Sequence, residues 1–159
     1  MLSGPKPICI LGIGSPSGDD QAGWLTVDAL LASGACAAGG GILIQKLDRP
    51  GSGLIPLLDG AARVILIDAM QSNGPIGRIR HFDADDWPAC NKGLSSHGFG
   101  VLDALALAQA LGNLPPRLDL YGIGIGEAIP CDTPCIEVQA AAQQLAVIIA
   151  TELAGILPT

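Results

Sequence analysis

The strongest constraint on this chain is a rhythm in which short apolar runs of strand length are separated by segments with helical spacing. The runs are "PICILGIG", "GILIQKLD", "RVILIDAM", the more polar "GPIGRIRHFDADD" and "RLDLYGIGIG". The centre of "RVILIDAM" is continuously apolar, as expected for a strand covered on both faces. Between the runs, "DDQAGWLTVDALLASGA" repeats Trp24, Val27, Leu30 and Leu31 at helical spacing, with Asp19 or Asp20 available as its cap. "GLIPLLDGA" reads as a short helix containing a proline. "HGFGVLDALALAQALG" reads as an alanine- and leucine-rich helix closed by Gly112 and Asn113, and "TPCIEVQAAAQQLAVIIATELAGIL" as a long final helix. Strands alternating with helices predict an α/β protein, a three-layer αβα sandwich with a mostly parallel central sheet of about five strands. The polar fourth run belongs at an edge. At 159 residues, the whole of 1–159 is expected to form a single domain.

Charge removes two classes of partner. With 8 basic against 15 acidic residues the net charge is −7, and no basic cluster is available to neutralise a nucleic-acid backbone or an acidic membrane surface. The apolar run "ICILGI" is too short for a signal peptide, and "LAVIIATELAGIL" is broken by Glu152 and Gly155, so no membrane span is expected. The five cysteines, Cys9, Cys36, Cys90, Cys131 and Cys135, are odd in number and contain no C-x-x-C pair. They read as reduced thiols of a cytoplasmic protein. The C-x-x-x-C of Cys131 and Cys135 lacks the second pair that a structural zinc site needs.

In such folds ligands gather outside the carboxyl ends of the strands. That rule selects the loops at 15–20, 48–53, 68–73 and 124–133, and "KGLSSHGFG" can fold over the same rim. In the first loop Gly12, Gly14 and Gly18 come within one residue of a dinucleotide fingerprint, and Asp48 closes the second strand. Two carboxylates, Asp19 and Asp20, stand where a pyrophosphate would need bare amides. They suit a cation instead. Asp68, directly after an apolar strand, must emerge at the rim or find a partner, since an ionised carboxylate is costly in a core; its structural alternative is a turn or helix cap. His97 is either a ligand or an ordinary loop histidine. His81, in the edge strand, shows no comparable setting. Ser95 and Ser96 beside His97 lack a nucleophile elbow. If the topology brings Asp20, Asp68 and His97 together, two oxygens and one nitrogen make an open site for a divalent ion.

The ordered set of these features resembles the hydrogenase maturation proteases, which trim the large subunits of nickel–iron hydrogenases. The family's G-x-G-N-x-x-x-x-D-[DE]-x-x-G pattern is matched by "GIGSPSGDDQAG", its D-x-G-T-x-G turn by "DRPGSGL", its Asp-Ala after strand three by "IDAM", and its Ser-x-His before an alanine-rich helix by "SSHGFGVLDAL". The resemblance covers nearly the whole chain. It implies an endopeptidase that removes the C-terminal extension of a nickel-loaded NiFe hydrogenase large-subunit precursor late in maturation. Asp20, Asp68 and His97 would be both the catalytic residues and the ligands of the substrate's nickel, with no permanently bound cofactor. The hydrolysis would be of the aspartic or the metal-assisted type. The protein is expected to be a cytoplasmic monomer whose partner is the precursor, not nucleic acid or membrane. A non-cleaving chaperone of the loaded precursor and a nucleotide-binding α/β domain are the alternatives. The sequence departs from the family at Ser15, in the place of an asparagine, and in "EAIPCDTPCIE" before the last helix. Asp19, the other acid of the pair, is expected to cap a helix.

Overall fold

The computed structural model describes residues 4–34, 41–71, 73–83, 100–127 and 133–155. Their elements run β1 (Ile8–Gly14), α1 (Ala22–Ser33), β2 (Ile42–Asp48), α2 (Ile55–Leu58), β3 (Arg63–Gln71), β4 (Ile79–Phe82), α3 (Val101–Ala110), β5 (Arg117–Ile125) and α4 (Ile136–Ala154). Short 3-10 turns at Gly18–Gln21 and Gly51–Leu54 lead into α1 and α2.

The five strands form one sheet in the order β2-β1-β3-β5-β4. All pairings are parallel except that of β4 with β5. The most polar run is therefore the antiparallel edge strand. Pairing it opposite β5 leaves Arg80 and His81 exposed while Phe82 turns inward.

Two cores flank the sheet, and side-chain alternation divides the strands between them. Val64 and Leu66 of β3, with Leu11 of β1 and Leu120 of β5, face α2 and α3. Ile65 and Ile67, with Ile10 and Ile123, face α1 and α4. In α4, Val138, Ala141, Ala142, Leu145, Ile149 and Leu153 form the buried stripe, three and four residues apart. All four of Val64, Ile65, Leu66 and Ile67 are fully buried, which is why β3 needs no polar alternation. The expected three-layer sandwich with a mostly parallel sheet is the observed fold. No helix among the described residues is long and apolar enough to cross a membrane.

At the amino-terminal end of the sheet, α4 is fastened by a polar cluster. Arg63 donates to Asp119 at 2.8 Å and to Glu152 at 2.5 Å, and the Tyr121 hydroxyl donates to Glu152 at 3.0 Å. His81 Nε2 lies 2.7 Å from Asp119 Oδ1, and its ring stacks on Tyr121 with centroids 4.5 Å apart. His81 thus has a structural setting that its sequence context did not reveal.

Candidate active site

The site lies at the opposite, carboxyl-terminal rim, and close backbone packing builds it. A Cβ on Gly12 would come within 2.5 Å of the Gly23 carbonyl oxygen and of Val27, and one on Gly14 within 2.5 Å of the Asp20 carbonyl oxygen. Glycine at these positions lets the start of α1 lie directly against the end of β1. Helix packing therefore accounts for the G-x-G spacing that resembles a dinucleotide fingerprint. Trp24 Nε1 donates to the Leu47 carbonyl at 2.9 Å and ties α1 to the end of β2 as well. The same close approach brings the 3-10 turn carrying Asp20 to the mouth of the sheet.

There a cleft of about 470 Å³ opens between the strand ends and the start of α3. Asp20 and Asp68 both line it, with Ser15, Arg49, Gln71 and the apolar surfaces of Ile13, Leu54, Val101 and Ile125. Two of the three sequence-selected residues are therefore brought together. The third, His97, lies outside the described residues, as do Ser95, Ser96 and Cys131. Among the described residues, no group of three His, Cys, Asp or Glu side chains that could hold a metal ion is found.

The two acids differ in their surroundings. Asp20 Oδ2 accepts a long hydrogen bond, 3.4 Å, from the buried Ser15 hydroxyl. Asp68 accepts one from the Ala69 backbone N–H at 2.8 Å. Loss of water raises the Asp68 carboxyl to about 7, against the lowering effect of that hydrogen bond, and the nearby Asp20 charge raises it further. A carboxyl near neutrality in a cleft can exchange a proton at working pH or give it up to a cation. The proximity of the two acids disfavours ionising both, and the Asp20 charge helps to hold the Asp68 proton.

Asp19 also caps a helix, but not the one expected. Ser17, not Asp19, holds the N-cap position of the 3-10 turn, and neither that turn nor α1 receives a side-chain cap. Asp19 instead accepts from the backbone N–H of Cys135 at 2.7 Å and from its thiol at 3.4 Å. Cys135 is the N-cap residue of α4. Asp19 thus faces away from the cleft and clasps the start of α4, a contact across 116 residues that local sequence does not show.

Sequence reasoning passed over Arg49 and Gln71 in the cleft. Both fall in stretches that the strand-end rule selects, Arg49 just after β2 and Gln71 as the last residue of β3, and neither residue type carries a motif.

The HycI hydrogenase maturation protease family model matches residues 50–151. The chain belongs to the hydrogenase maturation protease family. The matched span contains Asp68 and begins after Asp20. The hydrogenase expression/formation protein HupD of Rhodobacter capsulatus is 31% identical over 123 residues, 74% of this chain but 57% of HupD. The match thus spans little more than half the length of that curated relative. Among solved structures, the hydrogenase maturating endopeptidase HybD of E. coli superposes with a TM-score of 0.79 at 21% identity, covering 94% of this chain and 93% of that one. The [NiFe] hydrogenase maturation protease HybD of Thermococcus kodakarensis gives 0.72 at 26% identity, covering 93% and 99%.

Proposed function

We propose that this protein is an endopeptidase that removes the C-terminal extension of a nickel-loaded NiFe hydrogenase large-subunit precursor. The observation that carries the proposal is the convergence in one cleft of a maturation-protease fold of Asp20, from the turn that follows β1, and Asp68, from the adjacent strand β3. Asp20, Asp68 and His97 receive the precursor's nickel, an open set of two oxygens and one nitrogen. The metal is part of the substrate, so the enzyme keeps no resident cofactor, and the cut depends on a loaded centre. The protein acts as a cytoplasmic monomer, with residues 1–159 as a single domain.

In metal-assisted hydrolysis the nickel polarises the scissile carbonyl or its bound water. Water oxygen adds to the carbonyl carbon, the C–N bond breaks, and the water's protons pass to the leaving amine and to solvent. A second route, of the aspartic type, is favoured by the raised Asp68 carboxyl. There the Asp68 carboxylate takes the proton of the attacking water and the tetrahedral intermediate collapses with protonation of the amine.

Intact mass of a co-expressed precursor, with and without nickel in the medium, tests the proposal. A C-terminal mass loss that requires both nickel and this protein is the expected result. A nickel-loaded precursor that keeps its tail while binding this protein would instead make it a non-cleaving chaperone.

A further inference from the structure

We propose that Arg49 reads a carboxylate on the segment that is cut away and so selects which tails enter the cleft, an assignment that rests on the proteolytic function above. Arg49 is the one cationic side chain among the described residues that line the cleft. Its backbone is held at φ 41°, the only positive φ at a non-glycine position among the described residues. A glycine would occupy that conformation without strain, and an arginine there is uncommon. The backbone N–H of Arg49 donates to the Gly14 carbonyl at 3.0 Å, anchoring the position to the end of β1 beside the two acids.

The guanidinium is oriented but not consumed. Its Nε donates to Asp48 Oδ1 at 2.8 Å, and the side chain remains 74% exposed. Both terminal nitrogens stay available on the outer edge of a planar fork, the geometry that receives a carboxylate through two parallel hydrogen bonds. Asp48 is then the positioning residue, aiming the fork from β2. Asp48 and Asp20 offset part of the Arg49 charge, so recognition here rests on the geometry of the fork more than on a positive field. The carboxylate can be an acidic side chain near the cut or the terminus of the precursor chain.

Processing rates of the co-expressed nickel-loaded precursor distinguish these sources. Three tails are compared: the native one, one with its acidic side chains near the cut changed to amides, and one whose terminus is displaced by an appended Gly-Ser segment. Wild-type enzyme is expected to slow about tenfold on whichever change removes the recognised carboxylate. Arg49→Ala slows by a similar factor on the native tail, loses the preference among tails, and melts at the wild-type temperature. Arg49→Lys recovers part of the rate, having the charge without the fork. The assignment is overturned if Arg49→Ala cuts the native tail at the wild-type rate, keeps the wild-type preference, or if the wild type ignores both tail changes. Failure of the wild type to cut any loaded precursor would overturn the proteolytic function as well.

Discussion

Asp119 and Asp68 are carboxylates on neighbouring strands of one sheet, placed in opposite electrostatic surroundings. Asp119, 2% exposed, lies 2.8 Å from Arg63 and 2.7 Å from His81, and Arg117 stands 3.6 Å away. Arg63 and Arg117 face Asp119 and Glu152, so the cluster at the amino-terminal end balances its charge. Asp68, at the other end, has one backbone hydrogen bond and a second acid nearby. A buried acid with cationic partners fastens the structure, whereas an acid held near another acid in a cleft keeps its proton to higher pH. The proposed function places the chemistry at the second end and leaves the first to stability.

The sharpest way to break this contrast is to neutralise each acid. Asp20→Asn and His97→Ala are expected to lower precursor processing by a factor of about a thousand or more while leaving the melting temperature near wild type, because each removes a group that meets the reacting centre. Normal processing by both variants would remove the three-ligand site. Asp119→Ala has the reverse signature. It should cost about 3 kcal/mol in denaturant unfolding, since the buried Arg63 loses its buried partner and keeps only Glu152, while any protein that remains folded still cuts.

Asp68 sharpens the comparison through pH. Its carboxyl ordinarily loses its proton near 3.8 and in the folded protein near 7. Between these values the folded state holds a proton that the unfolded state has released, so stability falls as pH rises from about 4 to about 7 and levels off above. Asp68→Asn removes that slope. Its unfolding free energy at pH 8 should exceed that of wild type by about 2–4 kcal/mol, with little difference at pH 4. Equal pH slopes in the two proteins would show that Asp68 is solvated like a surface acid.

Asp19→Ala tests a smaller effect. It should cost about 1 kcal/mol by uncapping α4, with processing retained. The mildest change, Ser15→Ala, releases one long hydrogen bond to Asp20 and should slow processing by about tenfold or less without altering the melting temperature.

Much of the rim was legible because parallel topology sends the carboxyl ends of β1, β2, β3 and β5 to one side. An acid after "ICILGIG" and another after "RVILI" then have to approach each other, whatever the details of the helices. The edge position of β4 was legible in the same way, from the polarity of "RIRHF". The amino-end cluster was not, because Arg63, His81, Asp119 and Glu152 are scattered along the sequence and meet only through strand register and the docking of α4. The same limit hid the Asp19–Cys135 clasp, where a local helix-cap pattern serves a helix distant in sequence. Gly12 and Gly14 show that one spacing has two physical uses. Glycine lets a phosphate approach a backbone, and it equally lets a helix do so.

The most direct test of the central claim is the intact mass of a nickel-loaded precursor co-expressed with Asp68→Asn, beside the wild-type pairing. The account predicts a precursor that keeps its full tail with the variant and loses it with wild type. A tail removed at the wild-type rate by Asp68→Asn would contradict the account, and would leave Asp68 as a half-buried acid without a role in the cleft.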